Sequence, residues 1–353
     1  MLVSAHYAYA AQVTLAWDPN TEPDLAGYTI YYGNAGSAYE YSVNAGNQTE
    51  YTLAELEDGM TYYFAVKARD IYGNESAYSN EVSWTSPFSN EPRVEAGEIT
   101  IDHNWAYVPF DQPFSDPIVV AKVMTYNDSA PCVARICNVD GAGFEIRIQE
   151  WDYLDDVHGV ESVSYIAMER GSYTLSNGTV VEAGQFQIQN AGSFQSVTFD
   201  GAFQVTPVVV ASVSSFNEED APTGRLRNIS PNGFEFMLQE QGLNAGEHAP
   251  ETISYIAWEP SVGSLGGLTF EVNRTGDVMT NNFNEIVFEE NFTELPAFFA
   301  DMQTTDGGDT ASVRAQGRAF FNVQVKIEEE QSADSEIAHT TEVVGYMVFG
   351  ASD

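Results

Sequence analysis

Basic residues are scarce. Thirteen Lys and Arg stand against 52 Asp and Glu, a formal net charge of −39 over 353 residues. A surface of that sign repels phosphate backbones and anionic lipid, which excludes nucleic acid and membrane surfaces as partners. It suits a secreted protein in salty water, or a carboxylate surface that takes up Ca2+. Cysteine is nearly absent: Cys132 and Cys137 are the only two. Five residues apart on a strand, they lie about 17 Å apart on opposite faces. A disulfide spans about 7 Å between Cα atoms, so two thiols are expected. No run is long and apolar enough to cross a membrane, and no long stretch carries helical periodicity. No phosphate loop, nucleophile elbow or catalytic triad signature occurs, which points away from an enzyme. What remains is 43% hydrophobic and 13% aromatic, with plentiful Gly and Tyr. That composition belongs to folded protein and favours an all-β fold.

The last three quarters of the chain repeat. Asn127 matches Asn217, Arg135 matches Arg225, and Gly143-Phe144 matches Gly233-Phe234. Gln149-Glu150, His158, Glu161 and Tyr165 match Gln239-Glu240, His248, Glu251 and Tyr255, always at an offset of 90. A weaker third copy has Phe288, Phe292 and Pro296 where the second has Phe199, Phe203 and Pro207. It ends with His339, Glu342 and Tyr346, spaced as His158, Glu161 and Tyr165. One small domain used three times points to avidity or a symmetric scaffold.

The expected organisation follows. Residues 1–10 are a signal-peptide remnant or an N-terminal strand. Residues 11–86 form a first domain of short strands, and 87–93 a Pro-containing linker. The copies occupy 94–171, 181–261 and 269–353, joined by turn-rich connectors at 173–184 and 261–269. Each copy reads as a six-stranded antiparallel β-sandwich, with a buried face of Phe144, Ile146 and Ile148, then Phe234, Phe236 and Leu238, then Phe321, Val323 and Val325.

The first domain carries Trp17, Gly27-Tyr28 and a Leu-x-x-Gly-x-Thr-x-Tyr stretch from Leu56 to Tyr63. In these residues it resembles a fibronectin type III domain. That family begins with a strand ahead of the one bearing the Trp, and only residues 1–11 could supply it here. The copies resemble the H-type lectin family. Trp105, Val108, Phe110, Phe114, Pro117, Val119, Arg135, Gly143 and Phe144 carry the likeness in the first copy. Phe194, Val197, Phe199, Phe203, Pro207, Val209, Arg225, Gly233 and Phe234 carry it in the second. The resemblance implies galactose-type sugar binding at loop ends, and trimers, which three tandem copies would close as a pseudo-trimer within one chain.

Sugar recognition needs an aromatic face and planar polar groups. The first copy offers Tyr126, Trp151 and Tyr153 beside Asn127, Asp128, Arg135 and His158. The second offers Asn217, Glu218, Arg225 and His248. By the resemblance, Arg135 pairs with Asp128, and Arg225 with Glu218, to hold the sugar; the bland reading is a charge pair tying two strands. The recurring His-x-x-Glu-x-x-x-Tyr set reads as loop hydrogen bonding rather than a zinc site. Asp152, Asp155 and Asp156 make a weak Ca2+ candidate. The chain is therefore expected to be a secreted, non-enzymatic glycan-binding or adhesive protein, its partner a galactose-type or acidic polysaccharide. The alternative is the structural subunit of an extracellular filament or surface layer, assembled through the N-terminal segment and open sheet edges.

Overall fold

A computed structural model describes residues 11–57, 60–86, 91–188, 191–242, 248–333 and 337–351. They are β throughout and fall into two compact units, one ending at Asn90 and one running from Glu91 to Asp353. The expectations for residues 1–10, and for 87–90 of the linker, lie outside the described residues.

The first unit holds β1 (Ala11–Ala16), β2 (Leu25–Gly33), β3 (Tyr41–Gly46), β4 (Glu50–Leu56), β5 (Thr61–Asp70) and β6 (Val82–Thr85). β1 pairs with β4, and the facing sheet runs β3-β2-β5-β6. Alternation sends Tyr28, Ile30, Tyr62 and Phe64 inward against Leu53 and Leu56. The Trp17 ring meets Tyr28 edge-on at 5.4 Å.

The first repeat comprises β7 (Val94–Ile101), β8 (Ala106–Pro109), β9 (Pro117–Thr125), β10 (Cys132–Asp140), β11 (Gly143–Glu150) and β12 (Glu161–Glu169). The second has β13 (Gly171–Thr174), β14 (Val180–Ile188), β15 (Gln195–Thr198), β16 (Val208–Val213), β17 (Thr223–Ser230), β18 (Gly233–Gln239) and β19 (Glu251–Trp258). The third has β20 (Ser261–Leu265), β21 (Leu268–Met279), β22 (Asn284–Val287), β23 (Ala297–Met302), β24 (Ala311–Gln316), β25 (Asn322–Glu329) and β26 (Glu342–Gly350). Each is a sandwich: β9-β12-β7 on β10-β11-β8, then β13-β14-β19-β16 on β15-β18-β17, then β20-β21-β26-β23 on β22-β25-β24. One apolar core lies between the sheets of each repeat.

The second and third repeats have seven strands each rather than the expected six, because their connectors add β13 and β20. The connectors at 173–184 and 261–269 are hairpins, not loose links. β13 folds onto β14 through a turn at Asn177-Gly178, and β20 onto β21 through Gly266-Gly267, both with positive φ. Such tight turns need left-handed backbone, which Gly supplies freely. In the third repeat the buried face is Val323, Val325 and Ile327, while Phe321 is exposed ahead of the strand.

The repeats close on themselves. β9, β16 and β23 occupy equivalent places, since Tyr165, Tyr255 and Tyr346 pair with Ala121, Ala211 and Ala300. These strands meet at the centre. Ser212 bonds the backbone of Ala121, Asp301 accepts from Ala211 N–H and from Lys122 Nζ (2.6 Å), and Gln303 bridges to Val209. β24 of the third repeat pairs in parallel with β9 of the first. The run Val208–Val213 is buried at every residue because one face meets its own core and the other the neighbouring repeats.

Candidate functional site

The recurring polar residues lie in the seams between repeats. Arg135 sits on β10 directly across from Arg147 on β11, on the face turned away from its own core. Its guanidinium reaches into the second repeat, donating to the carbonyls of Asp220 (2.9 Å) and Glu218 (3.3 Å) and to Glu251 Oε1 (3.4 Å). Arg225 does the same one repeat on, to the carbonyls of Asp309 (2.6 Å) and Gly307 (3.1 Å) and to Glu342 Oε1 (2.8 Å). Arg314 completes the circuit back to the first repeat, donating to the Asp128 carbonyl (3.2 Å) and Glu161 Oε1 (2.9 Å). All three arginines and all three glutamates are 0% exposed. Three head-to-tail seams of one design thus close a ring, the heterologous arrangement that cyclic symmetry requires.

Each seam glutamate is held from several sides. Glu161 accepts from the Thr125 hydroxyl and the backbone N–H groups of Asn127 (3.0 Å) and Asp128 (2.8 Å). Glu342 accepts from the Thr304 hydroxyl and the N–H groups of Asp306 and Gly307. Glu251 takes the Ser215 hydroxyl and Asn217 N–H. Burial alone would raise these carboxyl pKa values. The histidines, hydroxyls and amides outweigh it and hold all three below the ordinary carboxylate range.

The histidines lie between two carboxylates each. His158 Nδ1 is 3.1 Å from Glu150 and Nε2 3.5 Å from Glu161; His248 lies 2.7 Å from Glu240 and 3.3 Å from Glu251; His339 lies 2.6 Å from Glu329 and 3.3 Å from Glu342. Burial disfavours the His158 imidazolium, but the Cys132 thiol, Glu161 and Glu150 overcome it and push its pKa up to about 10. His248 is raised for the same reason, by Glu251 and Glu240 against burial. The tyrosine of the motif serves the opposite end of the strand: Tyr165, Tyr255 and Tyr346 donate to the buried Glu95, Glu182 and Glu271 (3.1, 2.7 and 3.0 Å). The whole set is a fastening device, hydrogen-bonded end to end.

The sequence-predicted binding residues are therefore redistributed. Arg135 is not beside Asp128, nor Arg225 beside Glu218. The carbonyl of Glu218 meets Arg135 and that of Asp128 meets Arg314, so each loop serves the preceding repeat in the ring. Tyr126 lies against Phe283 (5.6 Å) and under Lys326 (4.0 Å) of the third repeat. Trp151 is 2% exposed, clustered with Val133 and Ala221 across the first seam. His158 and His248 are buried. Solvent reaches Asn127, Asn217, partly Asp128 and Glu218, and Tyr153, which is 39% exposed and accepts from Gln331 N–H at 3.1 Å.

Asp152 accepts from Gln241 in the second repeat, and Asp155 from Val157 N–H. Asp152, Asp155 and Asp156 do not form a donor set: among the described residues no three His, Cys, Asp or Glu side chains are gathered as a metal ion requires. Both cysteines are free and buried. Cys132 Sγ lies 3.4 Å from His158 Nε2 and from Arg314 Nη1.

Sequence comparison agrees with parts of this picture. The chain is 32% identical over 306 residues to Halomucin of Haloquadratum walsbyi, an alignment covering 83% of this chain and 3% of that protein. It is 34% identical over 106 residues to a Kelch domain-containing protein of Saccharolobus solfataricus, covering 29% of the chain and 14% of the relative. Against Contactin-3 of Rattus norvegicus it is 28% identical over 170 residues, covering 44% and 16%. The chain thus spans a small fraction of the length of these curated relatives. Residues 5–85 match the Fibronectin type III domain model, and the N-terminal unit is a fibronectin type III domain.

Proposed function

We propose that this chain is an extracellular, non-catalytic adhesive protein. A fibronectin type III module is joined to a closed head of three H-type lectin-like repeats that binds galactose-type or acidic glycan. The observation that carries the reading is the ring itself. The recurring Arg, His and Glu residues are spent on seams between repeats, and Asn127 and Asn217 stay exposed at equivalent places in the first two repeats. Weak sites repeated on one rigid body gain avidity when they can engage together. The fibronectin type III match and the similarity over most of the chain to Halomucin support the same reading. The excess of 52 acidic over 13 basic residues favours solubility in salty surroundings.

The glycan-facing residues in this reading are the accessible ones: Tyr153 with the rim of Asp152, Asp155 and Asp156, and the loops at Asn127-Asp128 and Asn217-Glu218. Tyr153 provides the aromatic face, a contribution of about 1 kcal/mol or more to stacking on an apolar sugar face. On a glycan array, Tyr153→Ala is expected to weaken binding to the preferred glycan about fivefold or more while leaving the melting temperature within a few degrees. Wild-type protein that binds no glycan, with or without Ca2+, would overturn the reading.

A further inference from the structure

Two cations of the repeats, Arg147 and Arg274, have no ion pair among the described residues; Arg274 at least donates to the Thr206 carbonyl. Arg147 on β11 makes no hydrogen bond and no ion pair among the described residues, and its Nε–H is buried without an acceptor. Its guanidinium carbon lies 5.1 Å from the Trp105 ring centroid and 5.2 Å from that of Phe216, two rings that meet edge-on at 5.4 Å across the first seam. Arg135 is directly opposite on β10. Its guanidinium is taken up by Gln149, the loop carbonyls and Glu251, and it too lies over Phe216 at 4.6 Å. Two arginines side by side on neighbouring strands repel each other. In a chain with a net charge of −39, leaving one of them without a carboxylate creates a local positive spot beside a tryptophan that is 37% exposed. Glu145, two residues earlier on the same strand face, is engaged by Asn138 and Cys137.

The equivalent positions show that the ring does not need this charge. By strand register Arg135↔Arg147 corresponds to Arg225↔Met237 and Arg314↔Lys326. Met237 is buried and neutral, and Lys326 is paired with Glu328 at 3.4 Å. Among the described residues, only the first seam combines an accessible aromatic face with a cation lacking an anion.

We infer that Trp105, Arg147 and Phe216 form a subsite for an anionic saccharide: a carboxylate or sulfate on the Arg147 guanidinium and the sugar ring against Trp105. Arg offers planar paired donors suited to such oxyanions, and those donors remain available when its face is stacked on aromatics. The subsite deepens the proposed glycan binding and rests on it, but assigns acidic-sugar recognition to a side chain rather than to bridging Ca2+. The acidic surface works against a polyanion at low salt. The Debye length shrinks from about 10 Å at 0.1 M to about 3 Å at 1 M, so salt removes the distant repulsion while a contact pair at hydrogen-bonding distance persists in part.

The test uses the full chain in about 1 M NaCl with EDTA, titrated with tetragalacturonate, a sulfated galactose oligomer and a neutral galactose oligomer, read by tryptophan fluorescence and calorimetry. Wild type is expected to bind at least one anionic ligand about tenfold or more tighter than the neutral one, the two anionic arms telling carboxylate from sulfate. Arg147→Met, which installs the residue the second repeat already carries, is expected to erase that preference with an unchanged melting temperature; Arg147→Lys retains part of it. An Arg147→Met protein that keeps the preference overturns the inference. Neutral-glycan binding without any anionic preference overturns it while leaving the proposed function standing; binding of neither class overturns both.

Discussion

Arg225→Met is expected to lower the free energy of unfolding by about 3–5 kcal/mol, the range for removing one partner of a fully buried ion pair. The loss comes mainly from what is left behind. Glu342 would remain sealed from solvent without its guanidinium, and the carbonyls of Asp309 and Gly307 would lose their donor. Adding Glu342→Gln removes the stranded charge and is expected to recover part of the loss. Arg170→Met is the control. Arg170 bonds Asp116 at 2.6 Å, but those side chains are 38% and 60% exposed, and surface pairs contribute about 0–1 kcal/mol. Urea midpoints at constant slope separate the two cases.

The second large effect is on pH dependence. Glu161, Glu251 and Glu342 have folded pKa values below the unfolded one of about 4.3. The unfolded chain therefore takes up protons first on acidification, and their stabilisation, present above pH ~4.3, is lost as pH falls through the folded values. His158 and His248 are raised, His158 to about 10. Their stabilisation is full below the unfolded value of about 6.5 and is lost as pH rises through the folded values, about 10 for His158. Asp301, Glu328, Glu95 and Glu271, all raised by burial, likewise lose stabilisation as pH rises through their folded values. In about 1 M salt, where surface self-repulsion is screened, the melting temperature is expected to peak at about pH 5–6, fall steeply below pH ~4 and decline gradually above pH ~6.5. His158→Gln is expected to flatten the alkaline limb. A profile that rises steadily to pH 9 would contradict the assignment of the histidines as buried cations.

Much of the fold was legible because its signals are local. Strict alternation from Phe144 to Ile148 names a strand and its buried face without knowledge of anything distant. An offset of 90 between Arg135 and Arg225 names a repeat. The hairpins β13–β14 and β20–β21 are not legible in the sequence because Asn-Gly and Gly-Gly mark both loops and tight strand turns, and β13 and β20 are short. The site was hidden for a different reason. Alternation puts Arg135 on the outer face of its sheet, where an arginine ordinarily meets water; only the next repeat, whose Glu251 lies 116 residues along the chain, turns that face into an interior. The same holds for Tyr126 and Trp151, aromatics that looked available to a sugar and are covered by a neighbouring repeat. Sequence spacing did flag the right residue types, since His158, Glu161 and Tyr165 recur in register. Its one usable signal for closure was that each arginine recurs with a buried-type glutamate, which gives partners but not which copy supplies them. The distinction of Arg147 is not legible in the sequence, because it lies in a missing partner, and that is visible only in three dimensions.

The most direct test of the closed ring is a double-mutant cycle on Arg314 and Glu161, which belong to the third and first repeats and stand 153 residues apart in sequence. Arg314→Met, Glu161→Gln and the double variant are compared by urea unfolding. A ring predicts coupling of about 1.5 kcal/mol or more, because the two groups share one buried contact. Additivity within about 0.5 kcal/mol, as expected for repeats strung out in a rod, would contradict it.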